Sequence, residues 1–174
     1  MSKPTSTDFA KQKAAISGRL EKEYDFILRW WPEYVKEFPK ALKEVPHLPL
    51  EWKKCKFTKA ASNLIPKKPG VYCFTVELGS PFPKDIMLPL YIGKSPNQNL
   101  YKRFLDYFSE RHDYEGREKV VIMLNMFRNR LVFWWVELPR VFVDIVEEHL
   151  IMCCKPPCND VGYDRTKWGT AFEK

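Results

Sequence analysis

The chain has 174 residues, 45% hydrophobic and 15% aromatic, with a formal net charge of +7. Its 6 Trp and 12 Phe supply enough apolar side chain for a core, which argues against a disordered chain; the length suits one domain, with or without an attached arm. The basic balance suits a polyanionic partner, because each Lys or Arg set against a phosphate releases a counterion. From Asp8 onward, Leu20, Tyr24, Ile27, Trp31, Val35 and Phe38 recur at helical spacing. Pro32 and Pro39 interrupt that run and each can open a fresh helix, so an N-terminal helical arm reaching about Glu44 is expected. Trp30 and Trp31 imply that one side of the arm docks on something.

Residues 45–68 are rich in Pro and Lys and read as a connector. Val71 to Val76 reads as a strand, the stretch from Gly79 to Pro89 as an irregular loop, and Leu90 to Gly93 as the returning strand. Leu100, Phe104, Tyr107 and Phe108 define an amphipathic helix. Val120 to Phe127 reads as a further helix, its β-branched start leaving a strand open. Leu131 to Leu138, nearly unbroken apolar, reads as a central strand buried on both faces. A last helix starts near Pro139 and stops before Pro156 and Pro157. The fold class is α/β (α+β): a small central antiparallel three-stranded sheet flanked by helices, preceded by the arm.

The five cysteines, Cys55, Cys73, Cys153, Cys154 and Cys158, are odd in number, with two adjacent. That usage suits buried thiols in a reducing compartment rather than disulfides or a zinc knuckle. No apolar run approaches the ~18 residues a bilayer span needs. An intracellular, cytoplasmic protein without a membrane partner is expected.

Glu147 stands out on chemical grounds. At helical spacing it shares a stripe with Val143, Leu150, Ile151 and Cys154. A carboxylate centred there loses several kcal/mol of hydration unless a cation meets it, so a divalent metal or an arginine such as Arg103 is expected beside it. Arg103 lies at the boundary of its helix's apolar face, where a planar guanidinium can grip two phosphate oxygens. Tyr72 and Tyr91 fall on the two strands of one hairpin, and serve as bases only if a cation lowers their proton affinity. The turn Gly93-Lys94-Ser95 allows close backbone approach to a phosphate but lacks the earlier glycine of a P-loop.

Taken in order, Gly70-Val71-Tyr72, then Leu90-Tyr91-Ile92-Gly93-Lys94-Ser95, Leu100 with Arg103-Phe104, Glu147 with Leu150-Ile151, and Pro156 with Asn159 resemble the GIY-YIG endonuclease superfamily, from about Lys68 to Asn159. The resemblance implies residues 1–60 as arm and connector and 61–174 as a catalytic domain. It implies an enzyme hydrolysing DNA phosphodiester bonds with Mg2+ (or Mn2+). The catalytic residues it implies are Tyr72, Tyr91, Lys94, Arg103, Glu147 and Asn159. Among them Glu147 is the metal ligand, Tyr91 is favoured over Tyr72 as base, and Lys94, Ser95, Lys102 and Arg103 contact nucleic acid. The loop between the tyrosines is longer than usual in the family, two extra residues separate Lys94 from Leu100, and His149 stands where a small or amide residue is usual. With no zinc finger or long tail after the catalytic region, a stand-alone restriction-type or phage-type enzyme is expected, a kind that often acts as a homodimer. A structure-specific or single-strand nuclease is the alternative enzyme; a non-catalytic nucleic-acid-binding module is the alternative of another class.

Overall fold

The structure is a computed structural model, and it describes residues 50–79, 86–113 and 117–159. The expected helical arm, with Trp30 and Trp31, lies outside the described residues. Four strands form one antiparallel sheet: β1 (Lys53–Lys56), β2 (Gly70–Glu77), β3 (Met87–Ser95) and β4 (Leu131–Glu137), in the order β1-β4-β2-β3. The expectation of three strands is therefore corrected to four. The added strand, with a short 3-10 helix at Lys59–Leu64, occupies the stretch read as a connector. Its Lys-rich sequence shows no apolar alternation; it becomes a strand by pairing with the apolar β4, from Lys53 opposite Trp135 to Lys56 opposite Val132.

Helices α1 (Leu100–Glu110) and α2 (Glu118–Met126) cover one face of the sheet. Helix α3 (Arg140–Cys154) covers the other. The segment that admitted a strand at Val120 is thus a helix. Strand β2 is central, and its side chains alternate between two apolar layers. Tyr72, Phe74 and Val76 pack with Leu100, Phe104 and Tyr107 of α1, Met123 and Leu124 of α2, and Phe133. Val71 and Cys73 pack with Ile92, Val136 and the Val143, Val146 and Ile151 stripe of α3. Phe57, just after β1, stacks on Phe108 at 4.3 Å between ring centroids, which ties the first strand to α1.

Strand β3 is an edge strand and runs longer than expected, from Met87, taking in Pro89. Proline has no N–H to give to a ladder, so it is tolerated at an edge, and the register slips between Phe74 and Thr75 opposite it. Helix α3 ends at Cys154 because Lys155 adopts a left-handed conformation, with φ of 41°. The chain then returns to β3 through Cys158, whose N–H donates to Leu90 O. Among the described residues no helix is long and apolar enough to cross a membrane.

Candidate active site

The edge strand β3 brings the two layers together. Along it Tyr91 belongs to the α1 side, Ile92 to the α3 side, Gly93 sits opposite Tyr72, and Lys94 reaches α3. Gly93 is required here by space: a Cβ at this position would fall on the Tyr72 hydroxyl and lie 2.6 Å from its Cζ. Gly70 is held by backbone instead, since a Cβ there would run into the Val136 carbonyl. Gly93 thus lets the Tyr72 phenol lie across the neighbouring strand, whereas Gly70 lets β2 approach the β4 backbone.

An open cavity of about 460 Å³ results, lined by Tyr72, Tyr91, Lys94, Ser95, Pro96, Asn97, Gln98, Arg103 and Glu147. The structure thus brings Tyr72, Tyr91, Lys94, Ser95, Arg103 and Glu147 around one space. Lys102 is exposed and absent from that lining. Its backbone N–H donates to Asn99 Oδ1 at 2.7 Å, the side chain that caps the start of α1. Asn159 also stays off the lining. Buried, it accepts from Ile92 N–H at 2.9 Å and donates to Ile92 O at 2.7 Å, clamping β3 between Tyr91 and Gly93. It supplies the bonds that an edge strand otherwise lacks.

The Tyr72 hydroxyl is buried, 2.7 Å from the Tyr107 hydroxyl, and accepts from Arg103 Nε at 3.0 Å. Burial pushes the Tyr72 phenol well above its ordinary range, and Tyr91 adds to this; the bonds to Arg103 and Tyr107 offset it only in part. Arg103 also donates through Nη2 to Tyr107 at 3.2 Å and through Nη1 to Glu110 at 2.7 Å. Three of the five guanidinium N–H groups are so engaged, and Nη1 also lies 3.8 Å from Asp106 Oδ2, while the side chain lines the cavity.

Tyr91 is half-buried, and its hydroxyl accepts from Arg117 Nη1 at 2.6 Å. Arg117 also bonds Glu110, so one carboxylate joins two guanidinium groups behind the phenols.

Across the cavity the Lys94 ammonium lies 2.8 Å from Glu147 and 2.9 Å from Asp144, one turn earlier on α3. The cation that meets Glu147 is therefore Lys94, whereas the sequence suggested Arg103. Burial raises the proton affinity of Glu147, outweighing Lys94, and Asp144 and Glu148 raise it further. The Lys94 ammonium is itself shifted up, because its two carboxylates outweigh burial. The two directions are compatible, since the carboxylate is 15% exposed and the ammonium 38%.

Tyr107, Glu110, Arg117 and Asp144 were not singled out from sequence. Tyr107 and Glu110 follow Arg103 by four and seven residues, and Asp144 precedes Glu147 by three, so helical spacing alone could have found them. Arg117, beyond a loop and at the start of another helix, carried no such signal.

Among the described residues no three His, Cys, Asp or Glu converge as a metal cage. A small hard cation such as Mg2+ does not need one: it binds through one or two carboxylates, keeps several waters and takes substrate phosphate oxygens. Glu147, desolvated and opening on the cavity with Asp144 beside it, fits that donor set.

The elements define an α/β domain whose polar cavity sits on the edge of an antiparallel sheet. Over 97 residues the chain is 37% identical to UvrABC system protein C of Petrotoga mobilis (strain DSM 10674 / SJ95). That stretch is 56% of this chain but 15% of the relative, so the chain spans a small part of the protein it resembles. No protein-family model and no solved structure matches.

Proposed function

We propose that the chain is a metal-dependent DNA endonuclease of the GIY-YIG type. The observation that carries this reading is the shared cavity: two phenols, a guanidinium, an ammonium and a desolvated carboxylate, drawn from β2, β3, α1 and α3, line one space. The similarity to UvrABC system protein C supports it, with a matched stretch about as long as the segment from Lys68 to Asn159. The net charge of +7 suits a phosphate backbone as substrate.

In this reading a scissile phosphate enters between Arg103 and Glu147. Remaining Arg103 N–H groups take its oxygens and, because the guanidinium is fixed by Tyr72, Tyr107 and Glu110, stabilise the added negative charge without rearranging. Either hydroxyl of the Tyr72–Tyr107 pair can donate; in this reading Tyr107 does, which leaves the Tyr72 proton for the cavity that Tyr72 alone of the two lines. With its proton held so firmly, Tyr72 is a hydrogen-bond donor to the phosphate. Tyr91, less buried and backed by the Arg117 guanidinium, is the base in this reading: as a phenolate, its own proton already given up to solvent, it takes a proton from the attacking water. Lys94 moves from the carboxylates toward the phosphate. Glu147, with Asp144, would hold a Mg2+, which when bound supplies Lewis-acid stabilisation of the phosphoryl oxygens. The finer role proposed is that of a restriction-type or phage-type enzyme, two copies cutting two strands.

Supercoiled plasmid incubated with Mg2+ tests the activity. Nicked or linear product is expected, and EDTA is expected to abolish it. Binding of the plasmid without any cleavage across Mg2+ and Mn2+ would instead favour a non-catalytic binding module.

A further inference from the structure

Arg117 lies outside the motifs, yet it is bonded to the one phenol assigned a proton-transfer role. We propose that Arg117 is a positioning residue for Tyr91, with Glu110 tethering it to Arg103 so that base and phosphate-binding guanidinium are set as one unit. The inference rests on the nuclease reading above.

The geometry carries it. Arg117 Nη1 donates to the Tyr91 hydroxyl at 2.6 Å, while Nη2 bonds Glu110, whose other oxygen holds Arg103 at 2.7 Å. The Arg117 guanidinium also lies over the Tyr91 ring at 5.4 Å and the Tyr107 ring at 5.5 Å. In the assigned role Tyr91 is a phenolate that has already given its own proton to solvent, and Arg117 is the cation bonded to that oxygen where Tyr91 lines the cavity. The Tyr72 and Tyr107 rings pack against Tyr91, and Lys94, Arg103 and Glu147 share its cavity, with Glu110 behind Arg117 and Asp144 behind Lys94. Among the described residues the side chain hydrogen-bonded to the Tyr91 hydroxyl is Arg117.

Single-turnover cleavage of plasmid by the full chain tests the role. Arg117→Ala is expected to slow cleavage about tenfold or more with DNA affinity nearly unchanged, and Arg117→Lys to recover part of the loss. The acid limb of the pH–rate profile should move to higher pH in Arg117→Ala, which mere loosening of the fold would not do. In a Tyr91→Phe background the Arg117→Ala substitution should have little further effect. An unmoved profile, or fully additive losses, would overturn the assignment. A DNA-free arm separates this from the activity itself: the ring ζ-carbon NMR signal of Tyr91, identified by its loss in Tyr91→Phe, should shift in Arg117→Ala and less in Arg117→Lys. No shift overturns the pairing. A shift in a chain whose wild type never cuts DNA keeps the contact but removes its catalytic role, and it is then the nuclease reading that has failed.

Discussion

Tyr72 has two tasks that pull in one direction. Its ring fills the core beneath β3, and its hydroxyl anchors both Tyr107 and the Arg103 guanidinium. Tyr72→Phe leaves those two donors without their acceptor in a dry place, so urea unfolding should show a loss of about 1–3 kcal/mol, together with a large fall in cleavage. Glu147 behaves in the opposite way. Its folded carboxyl binds a proton more readily than the unfolded one, chiefly because of burial, so the native state loses stability as pH rises through the window above the ordinary Glu range. Glu147→Gln should therefore be no less stable than wild type at neutral pH while losing cleavage, and that advantage should vanish below the ordinary Glu range. Thermal melts at acid and neutral pH check the sign; a variant markedly less stable only at neutral pH would contradict it. Glu147 was legible in sequence because a lone acid in an apolar stripe is chemically conspicuous. Its partner was not, since which cation reaches it depends on the edge strand lying beside α3, a tertiary fact that no spacing encodes.

At the scale of elements, β3 and its two glycines set the site. Gly93→Ala drives a methyl group into the Tyr72 ring, and overpacking of this kind costs about 1–3 kcal/mol. Stability and cleavage should fall together, in contrast to Glu147→Gln. Glu137, at the end of β4, holds Lys53 of β1 at 3.0 Å and Lys68, just before β2, at 2.8 Å. The two lysines keep its carboxyl below the usual range, so the contribution is present above the ordinary Glu range and is lost as pH falls through the lowered value. Both lysines are largely in water, so Glu137→Gln should cost less than about 1 kcal/mol at neutral pH and nothing at strongly acid pH. Elements with strong periodicity, such as β2, β4 and α1, were readable from their residues. Strand β1 was not, because lysines on an edge say nothing of the apolar strand they pair with. Helix α2 was ambiguous for another reason: Val120 to Leu124 are all buried, which erases the polar face that marks a helix.

For the molecule as a whole, the proposed function is metal-assisted cleavage of DNA at one cavity on the sheet edge, with binding aided by the net charge of +7. Binding and cleavage should then be separable. The direct measurement is the DNA dissociation constant and the single-turnover cleavage rate with Mg2+, taken side by side for wild type, Glu147→Ala and Arg103→Ala. DNA affinities within a few-fold of wild type and cleavage abolished in both variants are expected; cleavage at the wild-type rate by either one would refute the proposed function.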